Sequence, residues 1–81
     1  SKGDPIVVSI KQNGDLYIQE RAIDALNLLP RLRAISQGNK NLRIYVRGDK
    51  NVAYGIVLDT IAKIKRSGFK KVALVAKLKE S

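Results

Sequence analysis

The sequence predicts one small α+β domain, a mixed sheet whose elements follow the order β-β-α-β-α-β. The chain has 81 residues, which is enough for a single domain and its core. Short runs of β-branched residues alternate with longer segments of helical periodicity. The last three predicted elements are a strand, a helix and a strand, so we expect these two strands to be parallel and both helices to pack on one face of the sheet.

The first two strands are predicted to form a hairpin. Ile6 to Ile10 is rich in β-branched residues, and a second strand is expected at residues 16–18. Between them lies Asn13-Gly14, a strong hairpin signal because both residues tolerate positive φ. Residues 1–4 are interpreted as a polar leader or a remnant of excision, and residues 5–81 as the domain.

The first helix is predicted from about Leu28 to Ser36, with Asn27 as its N-cap. Pro30 then lies in the first turn, where its missing N–H would have no partner within the helix. Leu28, Leu32 and Ile35 share one apolar stripe, so this face of the helix should meet the sheet.

The second half of the chain is predicted to form a strand, a helix and a strand. Apolar and polar residues alternate from Leu42 to Arg47, which is typical of a half-buried strand. The second helix is expected from about Val52 to Ser67 and should end at Gly68. Val72 to Ala76 is a nearly continuous apolar run, as in a central or parallel strand.

The positive charge favours an anionic partner. The formal net charge is +9; residues 1–41 hold six basic and four acidic side chains, whereas residues 42–81 hold ten and three. Such a field favours nucleic acid, anionic lipid or an acidic polymer, although an ordinary solvated surface can show the same composition. Arg43, Tyr45 and Arg47 lie on the polar face of their strand, and a bare face of this kind can receive a partner or a second copy.

The composition excludes several kinds of chemistry. The sequence has no cysteine, histidine, methionine or tryptophan, which removes disulfides, thiol nucleophiles and the usual ligands of zinc, haem and iron–sulfur clusters. A general base would have to be a carboxylate or a lysine, and Asp49 and Asp59 are too far apart in sequence to indicate a catalytic pair. We therefore predict no enzyme, no catalytic or metal-binding residue and no cofactor. No apolar run approaches the roughly 20 residues that span a bilayer, and none resembles a signal peptide.

The junction from Arg47 to Gly55 allows several hypotheses. Arg47-Gly48-Asp49 matches an adhesion triplet, but such short motifs often arise by chance. A phosphate-binding loop would need a glycine-rich pattern that is absent. We favour a helix entry in which Gly48 lets the backbone leave the strand, Asp49 or Asn51 is the N-cap, and Tyr54, in the first turn, packs on the end of the sheet.

A nucleic-acid-binding domain is an alternative from a different class. The GxxG loop of KH domains is absent, and the element order is not that of an RRM. An aromatic platform would require Tyr17 and Tyr45 to share the open face of the sheet.

The residues from the third predicted strand onward resemble the C-terminal periplasmic domain of the TolR/ExbD family. Family members show an apolar strand, then Arg-x-Asp-Lys-x-Val-x-Tyr, a helix, a glycine with a hydrophobic residue, and Val-x-Leu-Val. The match is dense over residues 42–76, and residues 6–36 agree in element order. The matching positions here are Arg47, Asp49, Lys50, Val52, Tyr54, Gly68, Phe69, Val72, Leu74 and Val75.

The resemblance implies a Gram-negative inner-membrane protein whose N-terminal transmembrane helix, absent from this sequence, uses the proton motive force. It implies TolQ-like or ExbB-like and TolA-like or TonB-like partners, contact with peptidoglycan, and a periplasmic homodimer, with no nucleic acid expected. Arg-Gly-Asp-Lys and Leu-Pro-Arg-Leu favour the TolR branch, which serves outer-membrane integrity in the Tol-Pal system. The alternative is an ExbD-type subunit of a TonB-energising transport complex. The residues expected to contact a partner are Arg47, Asp49, Lys50, Tyr54 and Gly68.

Overall fold

The computed structural model describes residues 4–75 and confirms an α+β domain with a mixed sheet and two helices on one face. Five strands form one sheet in the order β3-β2-β1-β4-β5. The strand β1 pairs antiparallel with β2 and parallel with β4, and β4 pairs parallel with β5. The elements are β1 (Ile6–Ile10), β2 (Leu16–Ile18), β3 (Arg21–Ile23), a 3-10 turn (Ala25–Asn27), α1 (Leu28–Ser36), β4 (Arg43–Gly48), α2 (Tyr54–Arg66) and β5 (Lys71–Leu74).

The core lies between the helices and one face of the sheet. Alternate residues of β1, β2 and β4 are buried, as expected for strands that pack on one side only. Each helix contributes residues spaced three or four apart to the same cluster. The largest fully buried side chains are Phe69, Ile10, Leu28, Leu32, Ile44, Ile64, Val8, Val46 and Val57.

The hairpin between β1 and β2 is confirmed, with a longer connection than the shortest hairpin turn. Lys11 and Asp15 close the loop, in which the N–H of Gly14 donates to the carbonyl of Lys11 at 2.8 Å. Gly14 takes the positive φ of +95°. Asn13 acts through its side chain instead, because its Oδ1 accepts a hydrogen bond from the N–H of Asp15 at 3.0 Å.

The short strand β3 was not predicted. It pairs with β2 through a turn at Gln19 and Glu20, whose φ values are +50° and +73°. Glutamine and glutamate rarely adopt the left-handed region, and the sequence has no Asn-Gly or Asp-Gly signal at this turn. A hairpin turn was therefore not expected here. The side chain of Gln19 supports the turn, since its Oε1 accepts the N–H of Val7 at 3.1 Å.

The bounds predicted for α1 are confirmed, and one detail of its buried stripe is wrong. Asn27 occupies the N-cap position, as predicted, although its side chain forms no capping hydrogen bond. Ile35 is 40 % exposed, whereas Ser36 is buried. The buried stripe advances four residues at a time through Leu28, Leu32 and Ser36, and the hydroxyl of Ser36 is satisfied by the Arg33 carbonyl at 3.2 Å.

The helix α2 begins two residues later than predicted. Ala53 occupies its N-cap position, so the prediction that Asp49 or Asn51 is the N-cap is wrong. The reason is a separate turn before the helix, in which the N–H of Val52 donates to the carbonyl of Asp49 at 3.1 Å. Gly68 follows the C-terminal end with φ of +110°, as expected for a glycine that stops a helix.

The last strand is parallel to β4, as predicted, but it lies at an edge of the sheet. Leu74 is 40 % exposed there. The apolar run from Val72 suggested a central strand, and strand order is not contained in a pattern of that kind. The predicted end of this strand at Ala76 lies outside the described residues.

Candidate functional site

The strands present a second surface, here called the open face, on the side of the sheet opposite the helices. Within residues 4–75, no helix covers it. Its side chains come from the alternate strand positions that the core does not use. The open face comprises Val7, Ser9, Tyr17, Ala22, Arg43, Tyr45, Arg47, Lys71 and Ala73.

The strand register brings aromatic and cationic residues together on the open face. Ser9 of β1 lies between Tyr17 on β2 and Arg47 on β4. In the next row, Tyr45 lies between Val7 on β1 and Ala73 on β5. A third row pairs Arg43 with Lys71. Small residues therefore alternate with tyrosines and cations across the surface, and the condition that Tyr17 and Tyr45 share this face is met.

The charge on the sheet is all of one sign. No residue of the five strands is acidic, and their charged residues are Arg21, Arg43, Arg47 and Lys71. Three of these cations lie on the open face. The acidic residues in the described part of the chain occupy turns, connections and one helix position, so the cations of the strands have no carboxylate among them.

A cleft of about 320 Å³ lies at the end of the open face where β1 and β4 terminate. The ammonium of Lys11 stands 5.2 Å from the centre of the Tyr17 ring, within the range of a cation–π contact. The residues that line the cleft are Ser9, Lys11, Tyr17, Glu20, Arg47, Gly48 and Asp49. The cleft is therefore rimmed by both acidic and basic groups.

The Arg-Gly-Asp triplet is explained by packing at the junction between β4 and α2. Gly48 is buried, and a Cβ atom added to it would lie 2.6 Å from Cγ1 of Val52 and 3.2 Å from Cγ2 of Val57. Only glycine allows the turn before α2 to approach the end of β4 this closely. The N–H of Asp49 donates to the carbonyl of Ile10 at 2.9 Å, which continues the hydrogen bonding between β4 and β1. The triplet is thus part of the sheet and its connection.

The residues predicted to contact a partner do not all lie together. Arg47, Asp49, Lys50 and Tyr54 gather around the β4–α2 junction, whereas Gly68 lies at the other end of α2. Tyr54 is 61 % exposed, so its predicted packing against the end of the sheet is wrong. The reason is the phase of the helix, whose buried side is formed by Val57, Thr60 and Ile64. Contact with a partner stays a prediction for all five residues.

Lys40 has a structural role that the sequence did not reveal. Its Nζ donates to the carbonyl of Ser67 at 3.2 Å, at the C-terminal end of α2, and lies 4.7 Å from the centre of the Phe69 ring. A cation at this position satisfies a terminal carbonyl and complements the helix dipole. Lys40 and Gly68 therefore hold the end of α2, away from the β4–α2 junction.

The described residues contain neither a candidate metal site nor a candidate membrane span. In the part of the chain that the structure covers, histidine, cysteine, aspartate and glutamate form no group of three that could hold a metal ion. None of the helices within residues 4–75 combines the length and hydropathy needed to cross a bilayer.

Known proteins resemble this chain along most of its length. The family model described as "Biopolymer transport protein ExbD/TolR" matches residues 1–79. The biopolymer transport protein ExbD of Pseudomonas aeruginosa is 32 % identical over 72 residues, which cover 89 % of this chain and 54 % of that protein. The protein of the same name from Escherichia coli is 25 % identical over 71 residues, covering 88 % of this chain and 50 % of that protein.

The chain spans about half the length of the curated relatives it matches. A Pseudomonas putida relative, 32 % identical over 72 residues (88 % of this chain, 51 % of the relative), carries the ExbD name as well. The family model includes both branches, so the sequence-based preference for TolR is neither confirmed nor contradicted. Because the matched region includes almost the whole chain, the chain belongs to the ExbD/TolR family.

Proposed function

We propose that this domain is the periplasmic part of an energy-coupling subunit anchored in the inner membrane of a Gram-negative bacterium. The anchor and the proton-driven chemistry would lie outside this sequence. The observation that carries the proposal is the family match over residues 1–79, and the relatives' name, biopolymer transport protein, supports it. The domain acts by binding, and it transmits movement from the membrane to partners in the envelope.

The branch of the family determines the partners. An ExbD-type subunit would work with ExbB-like and TonB-like proteins, and a TolR-type subunit with TolQ-like and TolA-like proteins in support of outer-membrane integrity. The name of the matched relatives supports the ExbD branch. The Arg-Gly-Asp-Lys and Leu-Pro-Arg-Leu segments support the TolR branch.

The exposed edge of β5 is the best candidate for partner binding. Within residues 4–75, β5 pairs only with β4, so its outer side can accept another strand. Exposed apolar side chains accompany this edge, with Leu74 at 40 % and Val75 at 38 %. A partner segment or a second copy of the chain could add here, which would give the expected homodimer.

The direction of the backbone groups makes strand addition testable. The N–H of Val75 donates to the carbonyl of Val46 at 2.9 Å, toward β4. Because successive residues of a strand point their N–H groups to opposite sides, the N–H of Leu74 points to the outer edge. Leu74→Pro removes this donor and leaves the hydrogen bonds to β4 in place.

The experiment measures binding of purified TonB-type and TolA-type periplasmic segments to the parent chain, to Leu74→Pro and to Leu74→Ala. Strand addition predicts that the proline variant loses binding and the alanine variant keeps most of it. Which segment binds decides the branch. If neither segment binds the parent chain, the proposed coupling function is wrong. Equal binding by both variants would contradict the β5 edge as the site.

Contact with peptidoglycan is a further part of the proposal. The excess of lysine and arginine suits the carboxylates of stem peptides. A pull-down with purified sacculi over a salt series tests this account. Binding should fall as salt rises. Salt-independent binding, or none at all, counts against it.

A nucleic-acid-binding domain is the second candidate, because Tyr17 and Tyr45 do share the cationic open face. Filter binding to single-stranded oligonucleotides tests it directly. Tight, salt-sensitive binding that depends on both tyrosines would support this candidate. If no oligonucleotide binds, the candidate is wrong and the envelope role is the one proposed function that stands.

A further inference from the structure

We propose that the open face docks on the surface of an anionic lipid bilayer, with its cations at the headgroup phosphates and its tyrosines at headgroup level. The inference rests on the proposed function in one respect only, which is that the domain works next to a membrane. It assigns a binding role to a surface that is separate from the β5 edge.

Charge complementarity is the first argument. Arg43, Arg47 and Lys71 project from the open face, and Lys11 stands at its end beside Tyr17. No acidic side chain lies among the strand residues. Cations in such an arrangement are attracted to a negative membrane surface. The same charges disfavour a second copy of this face as the occupant, because like charges would be opposed.

Shape is the second argument. Val7, Ser9 and Ala73, whose side chains are small or medium in size, alternate with the tyrosines and cations across the open face, so no bulky aliphatic side chain separates those groups from a broad surface. At the cleft end, Glu20 and Asp49 stand beside Arg47. An anionic polymer threaded through the cleft would meet these carboxylates, whereas a broad surface can contact the cations without entering it.

The tyrosines supply the third argument. Tyr17 and Tyr45 are half-buried on the same side of the sheet. Tyrosine is favoured at membrane–water interfaces because its ring is apolar and its hydroxyl is polar. No large aliphatic side chain projects from the described open face, so we expect contact at headgroup depth and strong sensitivity to salt.

The test measures co-sedimentation of the whole chain with vesicles of phosphatidylglycerol and phosphatidylcholine, and with vesicles of phosphatidylcholine alone, at low salt. We expect binding only to the anionic vesicles. Each open-face cation should contribute about fivefold, so Arg43→Gln with Arg47→Gln should weaken binding about 25-fold. The matched control is Arg31→Gln with Arg33→Gln, which removes the same charge from exposed positions of α1 and should cost several-fold less.

A fluorescence measurement separates contact from a general charge effect. The chain has no tryptophan, so Tyr45→Trp places a single reporter on the open face and Tyr54→Trp places one on α2. Anionic vesicles should shift the emission of the Tyr45→Trp variant to shorter wavelength and leave that of the Tyr54→Trp variant unchanged. Circular dichroism confirms that each variant is folded.

Several results would overturn the proposal. These are equal losses in the two arginine pairs, equal binding to both kinds of vesicle, or a spectral shift at position 54 alone. Loss of sacculus or oligonucleotide binding in the Arg43 and Arg47 variant, with vesicle binding unchanged, would assign the face to those polymers instead. The vesicle assay contains no protein partner and the partner assay contains no lipid, so either proposal can fail by itself.

Discussion

The two faces of the sheet are built from the same strands and differ in almost every physical property. On β4, Ile44 and Val46 are fully buried beneath the helices, whereas their neighbours Arg43 and Arg47 are exposed on the other side. A side-chain period of two residues is sufficient to separate the faces. The difference teaches that substitutions at adjacent positions of one strand can change the stability of the domain and its binding surface independently.

The largest expected effect compares adjacent residues on the two faces. Val46→Asp places a carboxylate in the core and should cost about 4 kcal/mol or more, enough to unfold a domain of this size. Arg47→Asp reverses a charge on the open face and should change the free energy of unfolding by less than about 1 kcal/mol. Thermal unfolding followed by circular dichroism measures both. Similar melting curves for the two variants would break the comparison.

The next effect concerns the junction between β4 and α2. Gly48→Ala forces a Cβ against Val52 and Val57 and should cost about 1–3 kcal/mol. Gly55→Ala is the matched control, since a Cβ there meets no atom within 4 Å and alanine favours a helix. Adding Val52→Ala should recover part of the loss at Gly48. If chemical denaturation shows equal stability for the two alanine variants, the packing explanation of the Arg-Gly-Asp triplet is wrong.

A smaller effect is expected at the far end of the helix layer. Lys40→Met keeps the aliphatic stem but removes the ammonium from the Ser67 carbonyl and the Phe69 ring, at a cost of about 1 kcal/mol. Lys65→Met removes an exposed charge from α2 and serves as the control. Denaturation midpoints provide the measurement. A midpoint unchanged by Lys40→Met would mean that the contact contributes nothing.

The smallest effect is expected at the turn beside the open face. Glu20 has φ of +73°, which glycine adopts without steric cost, so Glu20→Gly should stabilise the domain by about 0.5 kcal/mol. The same change removes a carboxylate from the rim of the cleft and should slightly strengthen binding to anionic vesicles. A loss of stability would show that the Glu20 side chain makes a contribution larger than the backbone strain. Urea titration resolves a change of this size.

Local patterns predicted most of the fold. β-Branched residues and the Asn13-Gly14 signal identified β1 and β2, alternation identified β4, and helical spacing with Asn27 before it located α1. Local patterns missed two features. The strand β3 was not predicted because it follows a turn at Gln19 and Glu20 that has no glycine. The edge position of β5 was not predicted because it depends on the order of the strands in the sheet.

The site was less predictable than the fold. Alternation alone placed Arg43, Tyr45 and Arg47 on one face. The position of Tyr17 beside Ser9, and of Ser9 beside Arg47, requires the pairing of three strands. The contact of Lys40 with Phe69 joins two connections far apart in sequence, and no pattern of residue types indicates it.

The central position of β1 determines how the domain would respond to mechanical tension. A pull on the chain just ahead of Ile6 loads a strand that is bonded on both sides, to β2 and to β4, so two rows of bonds must shear together before it slides. A sideways pull on β5 acts, within residues 4–75, on the single row of bonds that joins it to β4, and this row can open one bond at a time. Among the described strands, β1 therefore resists tension better than β5 does.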